Sequence, residues 1–422
     1  MTKASNVILK ALAVVLPVAS FAMKSQPSVA AEGYFCADYN ECREMFQNAA
    51  STKADRIVGA RTWSVNLPET ADKDLQVRFG FFPSSKSGPK KLLIMSSGIH
   101  GLEGYTGSAV QNLFLNEILP YANNQNIDVL MINGMNAFGM KNQRRHTANR
   151  VDLNRNWFAS DEFPTTIDDS IYDDFNENFN PDSKATFNEL DFARFITKDI
   201  VPNLPSVMSG DLTKAAGQGQ YRFPKGLTFG GTKAEPHRKL ITDVLHQFVP
   251  NYQYILAMDL HTGLGRRELQ LLPNPPYSAR AGELRKAIFE VNGRKIQETG
   301  GTDFYMSHGD FSDFICQYSE QKYQTSTCAN MLIEYGTLMP PSWEKQGVLT
   351  SLKKYIQSAY TLYLTVRENQ AYVHGAASIG ELHTIREAWA NMFNPNDSTW
   401  RQMILDETRT LFPKYLEKFA EL

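Results

Sequence analysis

The chain lacks a surplus of charge of either sign. Its 43 basic residues nearly balance 45 acidic ones, for a formal net charge of −2. Nothing in that balance suggests the basic face a nucleic-acid partner usually needs. No run of apolar residues is long enough for a membrane span, which takes about 20; the stretch Ala11–Ala22 is broken by Pro17 and Ser20. Cysteine is scarce, with four residues, and no internal repeat or Gly/Ser linker divides the chain. Glycine (27) and proline (20) are too few for a collagen-like or disordered chain. What is present is apolar material for a large core, 42% hydrophobic and 11% aromatic over 422 residues. That length allows one to three domains of about 150 residues.

The N-terminus has the layout of an export signal. Lys3 and Lys10 precede the apolar stretch, and two small-x-small sites follow, Ser20-Phe21-Ala22 and Ser28-Val29-Ala30. Cleavage is expected after Ala22 or Ala30, leaving a periplasmic or extracellular protein without a stable membrane span. Four cysteines in an exported chain allow two disulfides. Three pairings are possible, and proximity favours Cys36–Cys42 with Cys316–Cys328. Neither spacing suits a zinc finger.

Residues 37–56 read as a helical lead-in. Strands are predicted at 75–82, 91–97, 127–132, 255–260 and 331–333, the last running into Glu334. Helical spacing covers 107–119, 186–199, 235–248, 279–295, 344–366 and two segments beyond 380. This alternation predicts an α/β sheet covered on both faces, with ligands gathering at the carboxyl ends of strands. The domain layout read from it is a signal at 1–30, a lead-in at 31–60, a catalytic domain at 61–370 and a C-terminal helical extension at 371–422. The segment 156–183 carries eight acids and no Lys or Arg. It reads as a long surface insertion, a solvated acidic loop or, less simply, a rim whose field draws in cationic substrates.

The chemistry lies just beyond the predicted strands. After 91–97 comes Gly98-Ile99-His100-Gly101-Leu102-Glu103-Gly104, in which His-x-x-Glu can place an imidazole and a carboxylate on one ion. Far along the chain, Asp259-Leu260-His261-Thr262-Gly263 puts a second histidine at a strand end. Zinc hydrolysis needs three protein ligands, an open position and a general base. Glu334, a carboxylate closing a buried strand, is the candidate base, because such burial is costly without a task or a partner. The other six histidines (146, 237, 246, 308, 374 and 383) read as structural or surface residues. The run Arg144-Arg145-His146 … Val151-Asp152-Leu153-Asn154-Arg155-Asn156-Trp157 is dense in donors suited to gripping a carboxylate.

In this order HGLEG, VDLNRNW, DLHTG and IEYGT resemble the zinc carboxypeptidase (carboxypeptidase A-like) superfamily. The longer stretches SSGIHGLEGYTGSAVQ, GQYRFPKGLTFGGT and DLHTGLG resemble a bacterial branch of it with poorly defined function. The resemblance spans about residues 75–340 and implies an α/β fold with a mixed central sheet and helices on both faces. It implies Zn2+ held by His100, Glu103 and His261, with Glu334 as general base and then acid for the leaving amine. Arg145, seven positions before the Asp of the DxNR motif, would stabilise the oxyanion. Asn154 and Arg155 would hold the substrate's terminal carboxylate, and Asp152 would orient His100. Trp157 stands where the family usually has Phe, and Tyr305, Tyr318 and Tyr323 compete for the tyrosine that closes over substrate in digestive members. The implied activity is that of a metallocarboxypeptidase hydrolysing an amide next to a free carboxylate, in a peptide or cell-wall peptide. An aspartoacylase-like deacylase acting on N-acyl amino acids is the alternative, although Asn156-Trp157-Phe158 replaces the Phe-Pro-Gly-like turn of those relatives. A non-catalytic zinc- or peptide-binding protein is the third reading.

Overall fold

The computed structural model describes residues 33–422 except 68–70, 89, 161–162, 165, 264, 301–304, 324–325 and 339–347, and except the side chains of 208 and 348–355. The expected export signal at 1–30 lies outside the described residues.

Seven strands form one mixed sheet: β1 (Arg61–Asn66), β2 (Gln76–Phe82), β3 (Lys91–Ser97), β4 (Ile127–Asn133), β5 (Tyr254–Thr262), β6 (Leu269–Leu271) and β7 (Thr327–Tyr335). Their order is β1-β2-β4-β3-β5-β7-β6. The inner four are parallel, and β1, β2 and β6 join antiparallel at the sides. β3, β4 and β5 are near-continuous apolar runs because both faces of a parallel sheet are covered. Alternation then sorts their side chains. Leu93, Met95, Leu256 and Met258 enter one core, while Leu92, Ile94, Ile255 and Ala257 enter the other.

The principal helices are α1 (Tyr39–Ala54), α2 (Gly104–Leu113), α3 (Pro236–Phe248), α4 (Ala279–Phe289), α5 (Phe311–Lys322), α6 (Val348–His374), α7 (Ile379–Phe393) and α8 (Ser398–Ala420). The first core takes Val110 and Leu113 of α2, Ile288 of α4 and Trp400 and Ile404 of α8; the second takes Ile241 of α3 and Phe314 of α5. Carboxylate or hydroxyl caps start several of them, as at Asp310 for α5, Ser378 for α7 and Asp397 for α8. From β3 the chain passes to β4 on one side and then to β5 on the other. The gap beyond the ends of β3 and β5 is therefore the crevice where such sheets collect ligands.

The sheet has two strands beyond the five read from the sequence. β1 is a half-exposed side strand and β6 has three residues, so neither carries an apolar run. The helix expected over 279–295 stops at Phe289. The expected helix 107–119 starts earlier, at Gly104, and widens into an i→i+5 turn over Phe114–Ile118.

The acidic insertion is more than a solvated loop. Its Tyr172, Phe175 and Phe179, together with Phe187, Phe192 and Phe195 just after it, build a third apolar core with Tyr363 of α6 and Ile385, Trp389 and Phe393 of α7. Its acids partly serve structure, with Asp169 (2.7 Å) and Asp173 (2.9 Å) both gripping Arg222. The domain boundary expected at residue 370 falls inside α6, and α8 packs in the same core as the sheet. The C-terminal helices thus share apolar cores with the sheet and the insertion.

The disulfides are Cys36–Cys42 and Cys316–Cys328. The second ties α5 to β7, the strand that carries Glu334. Closing a loop of this length stabilises by about 3 kcal/mol. Replacing Cys316 and Cys328 by Ser should lower unfolding stability by roughly that amount in denaturant titration. An unchanged midpoint would mean that the staple adds nothing.

Candidate metal centre

His100 follows β3, and Glu103 closes the single turn Gly101–Glu103 before α2. A side chain at Gly101 has no room, since its Cβ would lie 2.1 Å from the Gly139 carbonyl carbon. The turn therefore nests directly on a neighbouring backbone. His261 comes from the end of β5. These three residues converge, with ligand atoms all within 4.8 Å of one another. Each is buried, at 4% (His100), 3% (Glu103) and 2% (His261) exposure. His100 Nδ1 lies 2.8 Å from Glu103 Oε1, and His261 Nδ1 lies 3.0 Å from Oε2 of the same carboxylate. The Thr262 backbone N–H also donates to Oε2, at 3.0 Å.

The outer ring nitrogens are held as well. His100 Nε2 meets Asp152 Oδ1 at 3.1 Å, and His261 Nε2 meets Asp259 Oδ2 at 2.7 Å. A carboxylate on Nε2 keeps the proton there and turns the Nδ1 lone pair toward a cation. Both carboxylates are themselves fixed. Asp259 accepts from Ser96 Oγ at 2.6 Å. Asp152 accepts from Arg145 Nε at 2.8 Å and from the Asn154 backbone N–H at 3.1 Å. Two imidazole nitrogens and a carboxylate oxygen, with oriented rings, fit a His₂Glu zinc site. Asp259 was not singled out from the sequence. Its signal is the Asp-x-His spacing on a strand, which puts both side chains on one face.

The electrostatics follow from this packing. Burial opposes charge on Glu103, but His100 and His261 outweigh it and hold the carboxyl below its usual range. Burial likewise opposes charge on Asp152, and Arg145 and His100 hold it well below. Burial pushes the His261 imidazole down, and Asp259 raises it well above its ordinary value.

Arg145 reaches the cluster, with Nη1 3.6 Å from Glu103 Oε1, and its side chain is 14% exposed. Arg144 turns away to Glu368 of α6 at 3.1 Å and stacks on Tyr372. The carbonyls of Arg145 and Arg144 accept from the N–H groups of Gly101 (3.4 Å) and Leu102 (3.1 Å), so this loop also carries the ligand turn. Glu334 is buried and pairs in register with His261 across parallel strands. The two side chains therefore project from the same face.

Asn154 is committed to the start of α5. Its Nδ2 donates to Asp310 Oδ2 at 3.0 Å, and its Oδ1 accepts from the Phe311 N–H at 2.8 Å. Arg155 donates from Nε (2.9 Å) and Nη2 (2.6 Å) to the Gly217 carbonyl, and from Nη1 (2.7 Å) to the Asn154 carbonyl. Its guanidinium lies 5.7 Å from the Tyr305 ring. Tyr305 is also within electrostatic reach of Arg145, whereas Tyr318 and Tyr323 both bond His246 on α3. Of the three tyrosines, Tyr305 is the one the fold brings to these arginines.

His146 is buried beside this loop, its Nε2 without a hydrogen-bond partner among the described residues. Burial pushes it down to about 3, with Arg144, Arg145 and His100 also disfavouring its charge.

A family model described as a protein of unknown function (DUF2817) matches residues 35–407. No curated protein matches the chain. Among solved structures the chain is similar to carboxypeptidase A from Helicoverpa armigera, at 16% identity and TM-score 0.42, covering 88% of this chain and 81% of that one. It is similar to a metallo-carboxypeptidase from Burkholderia cenocepacia at 11% identity and TM-score 0.39, covering 79% and 70%. A metallo-carboxypeptidase from Pseudomonas aeruginosa, in complex with (2-guanidinoethylmercapto)succinic acid, gives 12%, 0.39, 79% and 70%.

Two predictions follow the geometry. Asp259→Asn should weaken zinc affinity roughly 10–100-fold in a competition titration while the fold survives; unchanged affinity would remove Asp259 from the centre. His146 has its proton affinity depressed on folding, so its contribution to stability is present above pH 6.5 and is lost as pH falls toward 3. Between pH 7 and pH 5 the folded state should lose about 2 kcal/mol through this group. Denaturant titrations at both pH values should show a smaller loss in His146→Gln; an equal loss would contradict the assignment.

Proposed function

The chain belongs to the DUF2817 family, and we propose that it hydrolyses an amide bond next to a free carboxylate, using zinc held by His100, Glu103 and His261. The observation that carries this reading is the convergence of those three ligands with both outer imidazole nitrogens gripped by carboxylates. When bound, zinc would supply Lewis acidity and make a water a nucleophile near neutral pH.

The chain's own residues divide the remaining work. Glu334 takes the proton of the attacking water and delivers it to the leaving amine nitrogen. A C–O bond forms, the C–N bond breaks, and the products are an acid and an amine. Arg145 faces the developing oxyanion, an interaction of order 3 kcal/mol in comparable sites. Arg155 supplies the charge that draws the terminal carboxylate, while Asn154, expected to share in holding it, instead fixes the segment that carries Arg155 by bonding Asp310 and Phe311. Asp152 and Asp259 keep the imidazoles in the ligating tautomer. Tyr305 stands ready to cover the bound carboxylate.

Two disulfides support an oxidising compartment, in line with the export signal expected at 1–30. No helix among the described residues is long and apolar enough to cross a membrane. A periplasmic or extracellular peptidase acting on free or cell-wall peptides fits these features.

Full-length protein should release free C-terminal amino acids from a peptide panel, with activity lost on chelation and restored by zinc. Glu334→Gln should lower kcat by about 10²–10⁴-fold while zinc content stays at the wild-type level. Undiminished turnover in that variant would refute the assigned base.

A further inference from the structure

The start of α5 is fastened to the sheet by a buried polar frame. Asn330 lies on β7, on the same face of the strand as Glu334. Its Nδ2 donates to Ser312 Oγ at 2.9 Å and to Asp313 Oδ1 at 2.8 Å. Arg285 of α4, only 1% exposed, donates to the Asn330 carboxamide and pairs with Asp313 at 3.2 Å. This frame presents Asp310 to the segment that carries Arg155. Asp310 Oδ1 accepts from the N–H groups of Ser312 (2.9 Å) and Asp313 (3.1 Å) and from Ser312 Oγ (2.7 Å), which caps the helix. Its Oδ2 has a different partner and accepts from Asn154 Nδ2 at 3.0 Å. Asn154 Oδ1 in turn accepts from the Phe311 N–H at 2.8 Å. The contact continues along the backbone. The Trp157 N–H donates to the Gly309 carbonyl at 3.1 Å, and a Cβ at Gly309 would lie 2.7 Å from the Arg155 carbonyl carbon.

The Arg155 guanidinium is aimed by the same residues. Its Nε and Nη2 donate to the Gly217 carbonyl, and its Nη1 donates at 2.7 Å to the carbonyl of Asn154, the residue whose side chain Asp310 holds. A guanidinium carries one N–H on Nε and two on each η nitrogen. These bonds therefore leave one N–H on Nη1 and one on Nη2, a pair suited to a bidentate carboxylate. We propose that Asp310 is a positioning residue for the substrate's terminal carboxylate, setting the aim of this Arg155 pair through Asn154. The cap uses one oxygen of Asp310 and the positioning uses the other. This inference rests on the reading of Arg155 as the carboxylate's partner and adds the residue that aims it.

Asp310→Asn separates the two roles. Asn keeps an acceptor for the cap, but its amide replaces Oδ2 and faces Asn154 Nδ2, donor against donor. Turning the Asn154 carboxamide over only moves the clash to the Phe311 N–H. Asn154→Asp alone sets two carboxylates against each other. The double variant restores both bonds with donor and acceptor exchanged and the net charge unchanged. The test uses zinc-loaded full-length protein carrying Glu334→Gln, so that bound peptides are not consumed. An N-acetylated dipeptide library, made as free acids and as C-terminal amides, is captured on it and read by mass spectrometry, with melting temperature and zinc content measured alongside. The preference for acid over amide should fall at least about tenfold in each single variant and return to within about threefold of the parent in the double. An unmoved preference in folded Asp310→Asn protein would leave Asp310 as a helix cap and overturn the proposal, as would a double variant no better than the single ones. Should one single variant fail to fold, the other and the double decide. A parent without acid preference would overturn the proposal together with the role of Arg155. Failure of the hydrolase reading shows separately, as absent turnover in the wild type, and leaves the capture ratios to decide.

Discussion

The grip of two buried carboxylates on two imidazoles is the constraint on which the rest of this structure depends. Asp152 and Asp259 fix the rings of His100 and His261, and Glu103 sits between the inner nitrogens. Glu103, Asp152, Asp259 and Glu334 are all buried in this region, with Arg145 and Arg155 set against them. Buried charge is costly unless it is compensated. The carboxylates outnumber the two guanidinium groups, a balance in which the proposed divalent cation would be well placed.

The fold supplies this arrangement by ordinary means. Buried parallel strands place Ser97, His261 and Glu334 at one edge, and the switch in chain direction around β3 opens the crevice there. The ligand turn then leans on the carbonyls of Arg144 and Arg145. The same loop that sends the Arg145 guanidinium toward Glu103 thus also holds the backbone between His100 and Glu103. Glu368 anchors that loop from α6, so the C-terminal helices help hold the ligand turn in place.

Much of this was legible in the sequence because it is local. Continuous apolar runs mark β3, β4 and β5, and the glycine-flanked His-x-x-Glu and Asp-x-His motifs sit directly after or at strand ends. What was not legible depends on distant partners. β1 and β6 lack an apolar signature because they lie at the sheet's edges. The aromatics of the insertion enter a core completed by α6 and α7, far along the chain, while their intervening acids suggest a solvated loop. Arg144 and Arg145 are adjacent and chemically alike; the family resemblance singled out Arg145 by its spacing, and their partners Glu368 and Asp152 give the physical reason the two point apart. Asn154 has donor chemistry suited to a carboxylate, yet its carboxamide bonds Asp310 and Phe311, partners the sequence does not place beside it.

The most direct measurement is a zinc titration of metal-free full-length protein, followed by X-ray absorption at the zinc edge. The account predicts one zinc per chain in a shell of nitrogen and oxygen donors that includes two imidazoles. Absence of tight binding, or a bound ion without two imidazole ligands, would contradict it.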